Sequence, residues 1–154
     1  MDAAAERYLK PRPAENVFHR AVAALTKAGV SLYGSRVLSV RGRKSGEWRS
    51  VPVNLLRHDG ERYLVAPRGH TQWVRNLRAA GEGELRVGRR VEVFVAAELP
   101  DDVKPAILRS YLKRWGWEVG MFFEGVTKDA SESTLREIAP GFPVFRIEDV
   151  PAKA

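Results

Sequence analysis

No cysteine occurs among the 154 residues. That excludes a disulfide framework, a thiolate nucleophile and a zinc–thiolate centre. A reducing compartment fits this absence without being fixed by it, and the cytoplasm is the expected location. Long apolar runs are also missing. Nothing approaches the about 18 consecutive apolar residues of a membrane-spanning helix. The opening Met1-Asp2-Ala3-Ala4-Ala5-Glu6-Arg7 is polar with early acids, whereas a signal peptide needs a basic start and then an apolar stretch. The three histidines, His19, His58 and His70, lie at no metal-ligand spacing. No Gly-x-Ser-x-Gly elbow occurs, so a serine hydrolase of that type is not expected. Gly81-x-Gly83 follows a helical pattern and has no third glycine, so it is not a dinucleotide fingerprint.

What is present is an ordinary globular composition, 44% hydrophobic and 29% charged, which excludes wholesale disorder. The length suits one domain that buries its own core. Lys and Arg number 26 against 19 acids, a net charge of +7. Such a surplus draws anions: nucleic acid, phosphorylated cofactors or an anionic membrane. Nucleic acid ranks low, because neither a recognition-helix pattern nor interleaved surface aromatics stand out. Peripheral membrane contact stays open through the amphipathic stretch Val17 to Val30, although a helix laid on the domain core is the better reading.

Residues 1–13, with Pro11 and Pro13, read as a loose tail ahead of a single domain over 14–154. Helical spacing runs from Ala14 to Ala28, from Gln72 to Ala80, from Asp101 to Trp115 and from Glu132 to Ala139. Thr71 is placed to cap the second of these, and Gly81 to end it. Strands are expected at 37–40, 48–56, 62–66, 85–87, 91–95 and 144–147. Pro52 inside the second requires an edge or a bulge. His58-Asp59-Gly60-Glu61 is a tight hairpin signal. The fold class is therefore α+β: about six mostly antiparallel strands, joined by hairpins into a sheet or small barrel with flanking helices.

Two segments carry chemistry. Arg41-Gly42-Arg43-Lys44-Ser45-Gly46, followed by Arg49, packs four cations and a hydroxyl around a glycine-flanked turn. Glycines admit an anion close to the backbone. Arginine grips phosphate or carboxylate with two bonds, and lysine adds a mobile charge. A solvated basic hairpin tip is the competing reading. The second segment is Arg68-Gly69, then Trp73 and Asn76 on one helix face. Trp73 could stack on a ring and Asn76 bond its edge; equally, Trp73 could anchor the core and Asn76 tie down a loop. His70 beside Arg68 could face a ligand. The cluster Tyr111, Trp115, Trp117, Phe122 and Phe123 could line an apolar pocket, but core is the better reading.

The stretch Leu38 to Gly46, with Arg49, Val51-Pro52-Val53, Asp59-Gly60 and Trp73-Val74-Arg75-Asn76-Leu77-Arg78-Ala79, resembles the deazaflavin-dependent nitroreductase family of actinobacteria and their relatives. The resemblance covers about a third of the chain. It implies a split β-barrel that binds coenzyme F420, an anionic 8-hydroxy-5-deazaflavin with a phosphate and a glutamate tail. Carried over, Arg43, Lys44, Ser45, Gly46 and Arg49 would hold the phosphate and tail. Pro52 and Val53 would lie along the ring. Ala66 and Arg68 would belong to a loop near the cofactor, with Trp73 and Asn76 beside it. Ser39 and its neighbours would reach the same ligand from the preceding strand. FMN ranks below F420, since its phosphate would suit the same turn.

The implied reaction is hydride transfer from reduced deazaflavin to a small electrophile such as a quinone, enone or nitroaromatic. Tyr33, Tyr111, Trp117 and solvent are the candidates for supplying a proton. Pro67 and Asn54 depart from the family pattern on the substrate side. They keep alive an alternative, a non-catalytic split-barrel protein for a fatty acid, haem or another flavin. Monomer and homodimer both stay open.

Overall fold

The computed structural model describes residues 7–9 and 35–150. The expected helix over 14–28 and Tyr33 lie outside the described residues. Six antiparallel strands close a barrel in the order β1-β2-β3-β6-β5-β4. They are β1 (Ser35–Arg41), β2 (Trp48–His58), β3 (Glu61–Val65), β4 (Glu82–Val87), β5 (Arg90–Glu98) and β6 (Val144–Asp149). Helix α1 (Gln72–Ala80) joins β3 to β4. Helices α2 (Lys104–Val119) and α3 (Glu132–Ile138) fall between β5 and β6.

Every expected strand is present, and most run longer than the sequence pattern marks. Ladder bonds extend a strand past its apolar residues as long as a partner continues beside it. The Asp59-Gly60 turn has both residues at positive φ, 49° and 78°, as a two-residue hairpin of matching twist requires. α1 ends at Gly81 in the left-handed conformation, where its N–H bonds the Leu77 carbonyl. The stretch after 115 differs from expectation. α2 continues to Val119 and tightens into a 3-10 turn over Gly120–Phe123, because Trp115, Val119 and Phe123 all bury against one cluster.

Strand alternation sorts the core into two. Leu38, Val40, Leu55, Leu64, Phe94 and Phe145 fill the barrel, and Val74 and Leu77 of α1 pack onto them. Leu56, Tyr63 and Val65 point the other way, beneath Leu108, Tyr111, Leu112 and Trp115 of α2. The Trp115 indole N–H donates to the Leu55 carbonyl at 3.1 Å, which ties α2 to the middle of β2.

β2 changes partner halfway along. Residues 48–54 pair with β1, and residues 55–58 pair with β3. Pro52, opposite Val37, therefore sits where, among the described residues, β2 has a neighbouring strand on one side only. A residue without an N–H is tolerated at such an edge. The unpaired side of this half-strand is where the barrel opens.

Residues 7–9 lie within the stretch expected to be a loose tail, yet they are fastened down. Tyr8 bridges to Gly69. The Leu9 N–H donates to the Arg68 carbonyl at 2.9 Å, and the His70 N–H to the Arg7 carbonyl at 2.7 Å. The Arg7 guanidinium donates to the carbonyls of Pro67 (2.6 Å) and Phe122 (2.7 Å) and lies over the Phe142 ring. Gly69 has φ +88°, and a side chain there would run into the Arg7 backbone.

Candidate active site

A cleft of about 950 Å³ opens along the unpaired half of β2. Its volume is at the upper end for small-molecule sites, about 300–1,000 Å³, which leaves room for a ring cofactor and a second reactant. One end is cationic, formed by Arg43, Lys44, Ser45 and Arg49. Pro52, Val53 and Asn54 of β2 form one wall, with Thr71, Gln72 and Trp73 at the start of α1 opposite. Arg68 enters from the β3–α1 loop, and Tyr111, Glu118 and Phe122 close the far end.

The cationic turn holds its own shape. Gly42 N–H donates to the Glu47 carbonyl at 2.7 Å, and Gly46 N–H to the Gly42 carbonyl at 2.9 Å. The Ser45 hydroxyl accepts from the Glu47 N–H at 3.1 Å. Arg41 lies over the Trp48 ring and donates to the Gly46 carbonyl. The whole turn is then clipped to α1. The buried Asn76 side-chain oxygen accepts from the Arg43 backbone N–H at 3.1 Å and from its guanidinium at 2.8 Å. Of the two readings of Asn76, this geometry shows the tie to the turn, and the residue also lines the cleft. Trp73 is likewise both wall and anchor, lining the cleft while tilted against Phe145 with ring centroids 6.1 Å apart.

The charge at this end is largely uncompensated. Arg43 is held by a neutral amide. Arg49 has only a loose, exposed pairing with Glu47 at 3.6 Å. Lys44 makes no ion pair among the described residues. Thr71 supplies a second sign of a missing polar partner. It occupies the cap position of α1, but its side chain makes no capping bond, contrary to the sequence expectation. Its hydroxyl is buried in the cleft wall with no hydrogen-bond partner among the described residues. A buried hydroxyl left unpaired is costly, so a polar ligand group reaching this wall would be retained. An anionic ring cofactor with hydrogen-bonding edges fits these residues.

At the other end Tyr111 is wholly buried, with the Asn54 side chain close enough to act on its phenol. Burial, and then the charge of Glu118, push its pKa well above the usual phenol value, while Asn54 works the other way. The phenol is neutral throughout the ordinary pH range. Tyr111 thus belongs to the core, as the sequence suggested, and also borders the cleft. Arg68 lies over the Phe122 ring at 4.5 Å.

Three residues expected beside the cofactor are not on the wall. Ser39 does not line the cleft itself but bonds, hydroxyl to hydroxyl at 2.8 Å, to the lining residue Ser50 opposite it on β2. Gly46 closes the turn at φ +73° and is not among the lining residues. Ala66 is fully buried in the barrel core. His70 is turned from the cleft toward the Pro140 carbonyl at 3.0 Å. Trp117 is exposed on the outside of α2. Thr71 and Glu118 escaped sequence reasoning. Only the fold brings them to the cleft, and neither stands in a motif.

A closed six-stranded barrel with helices outside and a cation-rimmed cleft at its split defines the class of split-barrel cofactor-binding proteins. A sequence model of F420H(2)-dependent quinone reductase matches residues 14–117, and the chain belongs to this family. The family is one of oxidoreductases, and coenzyme F420 is the cofactor that membership indicates. No curated protein matches.

Solved structures share the fold. An Agrobacterium tumefaciens protein of unknown function superposes with a TM-score of 0.56 at 15% identity over 92% of this chain; the chain spans 57% of that protein's length. An F420-H2 dependent reductase gives 0.52 at 20% identity, covering 75% of this chain and 94% of its own. A chain described as a domain-swapped dimer gives 0.55 at 20% identity, covering 88% and 96%. Among the described residues no helix is long and apolar enough to cross a membrane.

Proposed function

We propose that the protein is an F420-dependent reductase of small electrophiles, with quinones first and enones and nitroaromatics as the wider range. Residues 14–154 would act as one cofactor-binding domain in the cytoplasm. The observation that carries this reading is the cleft itself. Its uncompensated cations stand at one end, an unpaired buried hydroxyl in its wall, and a buried phenol–amide pair at the other end.

When bound, reduced F420 supplies the hydride. Arg43, Lys44, Ser45 and Arg49 bind the anionic phosphate and tail, and Asn76 positions Arg43 for that task. Pro52, Val53 and Trp73 give the ring an apolar wall and exclude water from it. Arg68 adds a cation on the loop side. Thr71 offers its hydroxyl to a polar edge of the bound molecule. Tyr111, beside Asn54, stays protonated and would donate to an acceptor oxygen that gains charge on reduction. A fixed donor aimed at developing charge stabilises the transition state more than the ground state.

The test is equilibrium titration with oxidised F420 followed by tryptophan fluorescence, with FMN and a DNA oligomer in parallel. Oxidation of reduced F420 by menadione is then followed by absorbance. Micromolar or tighter F420 binding, weak FMN binding and turnover with the quinone are the expected results. Absence of F420 binding would sink the reading; binding without turnover of any acceptor would leave only the binding protein.

A further inference from the structure

We propose that Glu118 selects the acceptor by its charge: the end of the cleft away from the cationic turn takes a neutral or cationic electrophile and disfavours an anionic one. This inference rests on the reductase reading above, in which the cofactor's anionic groups occupy the turn at Arg43, Lys44 and Arg49. The second molecule is then left with the other end of the cleft. Any charge it carries there meets the side chains that line that end.

Glu118 reaches this end from the last turn of α2. It follows Tyr111 by seven residues and precedes Phe122 by four, spacings that bring side chains to one helix face. All three line the cleft, together with Val119 and Met121. The carboxylate is half-buried, and no hydrogen bond or ion pair joins it to another described residue. Arg114, one turn earlier on the helix, lies over the Trp115 ring at 3.9 Å. Arg68, the other charged side chain at this end, lies over the Phe122 ring.

After burial itself, the Glu118 charge is the next cause of the raised pKa of the Tyr111 phenol. Its field therefore reaches the group that would donate to the acceptor. A partly buried carboxylate without a partner costs free energy. In a cleft that excludes water, the same charge acts on a ligand more strongly than it would in bulk solvent. A neutral or cationic acceptor sits beside it without penalty, and a carboxylate or sulfonate does not.

The test uses three ligands of one shape: 4-nitrobenzylamine, 4-nitrobenzyl alcohol and 4-nitrobenzoate, which are a cation, a neutral molecule and an anion at about pH 7. Their equilibrium binding to the full chain, saturated with oxidised F420, is followed by quenching of tryptophan fluorescence at fixed ionic strength. The parent is compared with Glu118→Gln and Glu118→Asp. In the parent the amine should bind best and the carboxylate worst, with the alcohol about tenfold tighter than the carboxylate. Glu118→Gln should flatten this order, and Glu118→Asp, which keeps the charge, should preserve it. The same comparison is made in turnover, with menadione against 1,4-naphthoquinone-2-sulfonate. The kcat/KM ratio should shift about tenfold toward the sulfonate in Glu118→Gln. Tightest binding of the carboxylate would show that Arg68 sets the charge of this end and would overturn the proposal. An order and a ratio unchanged in Glu118→Gln would overturn it as well. A parent that binds no F420 sinks the reductase reading together with this one; a parent that binds F420 and turns over menadione, yet gives either contrary result, sinks this one alone.

Discussion

Replacing Asn76 with alanine removes no charge from the cleft, yet it should weaken cofactor binding. The Asn76 oxygen accepts two bonds from Arg43, one from the backbone and one from the guanidinium. Hydrogen bonds to charged groups contribute about 1.5–3 kcal/mol. Arg43 is itself exposed, so the lower figure applies, about 1.5 kcal/mol. Without this clip the turn over 42–47 keeps its internal bonds but loses its fixed position against α1. Ordering it again on binding would cost about the same amount, which is roughly tenfold in Kd. The assay is fluorescence titration with F420 across a series of salt concentrations. Asn76→Ala should lower affinity about tenfold and leave the salt dependence unchanged, because every cation remains. Lys44→Ala should lower affinity and flatten the salt dependence, because one charge is gone. If Asn76→Ala binds as tightly as the parent, α1 does not position the turn. If it flattens the salt dependence as Lys44→Ala does, Arg43 has been lost as a charge and the positioning role is wrong.

Three further outcomes can be measured. Gly69→Ala places a side chain against the Arg7 backbone at positive φ; a left-handed non-glycine residue alone costs about 1–2 kcal/mol, so Tm should fall by at least about 3 °C, and an unchanged Tm would show that residues 7–9 do not dock as described. Tyr111 has a raised pKa in the folded protein, so the stability this implies is complete below the unfolded value of about 10 and is lost as pH rises above it. Ultraviolet titration should therefore find one tyrosine silent until alkaline unfolding, and Tyr111→Phe should show a shallower loss of stability above pH 10. Trp115→Phe deletes the donor to the buried Leu55 carbonyl; a loss of about 1–3 kcal/mol is expected in denaturant unfolding, and no loss would mean that water replaces the indole.

Much of the barrel could be read from the chain because its signals are local. Asp59-Gly60 specifies a hairpin, Gly81 stops a helix, and Pro52 marks an edge. Each depends on the backbone of one or two residues. The cationic turn was legible for the same reason, since Arg43, Lys44 and Ser45 are consecutive and Arg49 follows on the next strand. The other end of the cleft was not. Asn54 and Tyr111 meet only because β2 and α2 pack together, and nothing within either segment announces the pair. Thr71 carried a correct positional signal with the wrong consequence: it stands at the cap position, but its hydroxyl is drawn into the cleft wall and not onto the helix. Arg7 looked like tail because its partners, the carbonyls of Pro67 and Phe122, are backbone groups that leave no trace in residue type.

The partner exchange along β2 has a consequence for how the protein behaves among its own kind. From residue 48 to residue 54 one flank of the strand pairs with no other strand among the described residues, and a bare flank of that sort is a template on which another chain can pair. Pro52 interrupts its row of donors, and the charged Arg49 stands beside it. A molecule seated in the cleft would cover the same flank. Filling the cleft would then guard the protein against self-association, and the empty form would be the one at risk in a crowded solution.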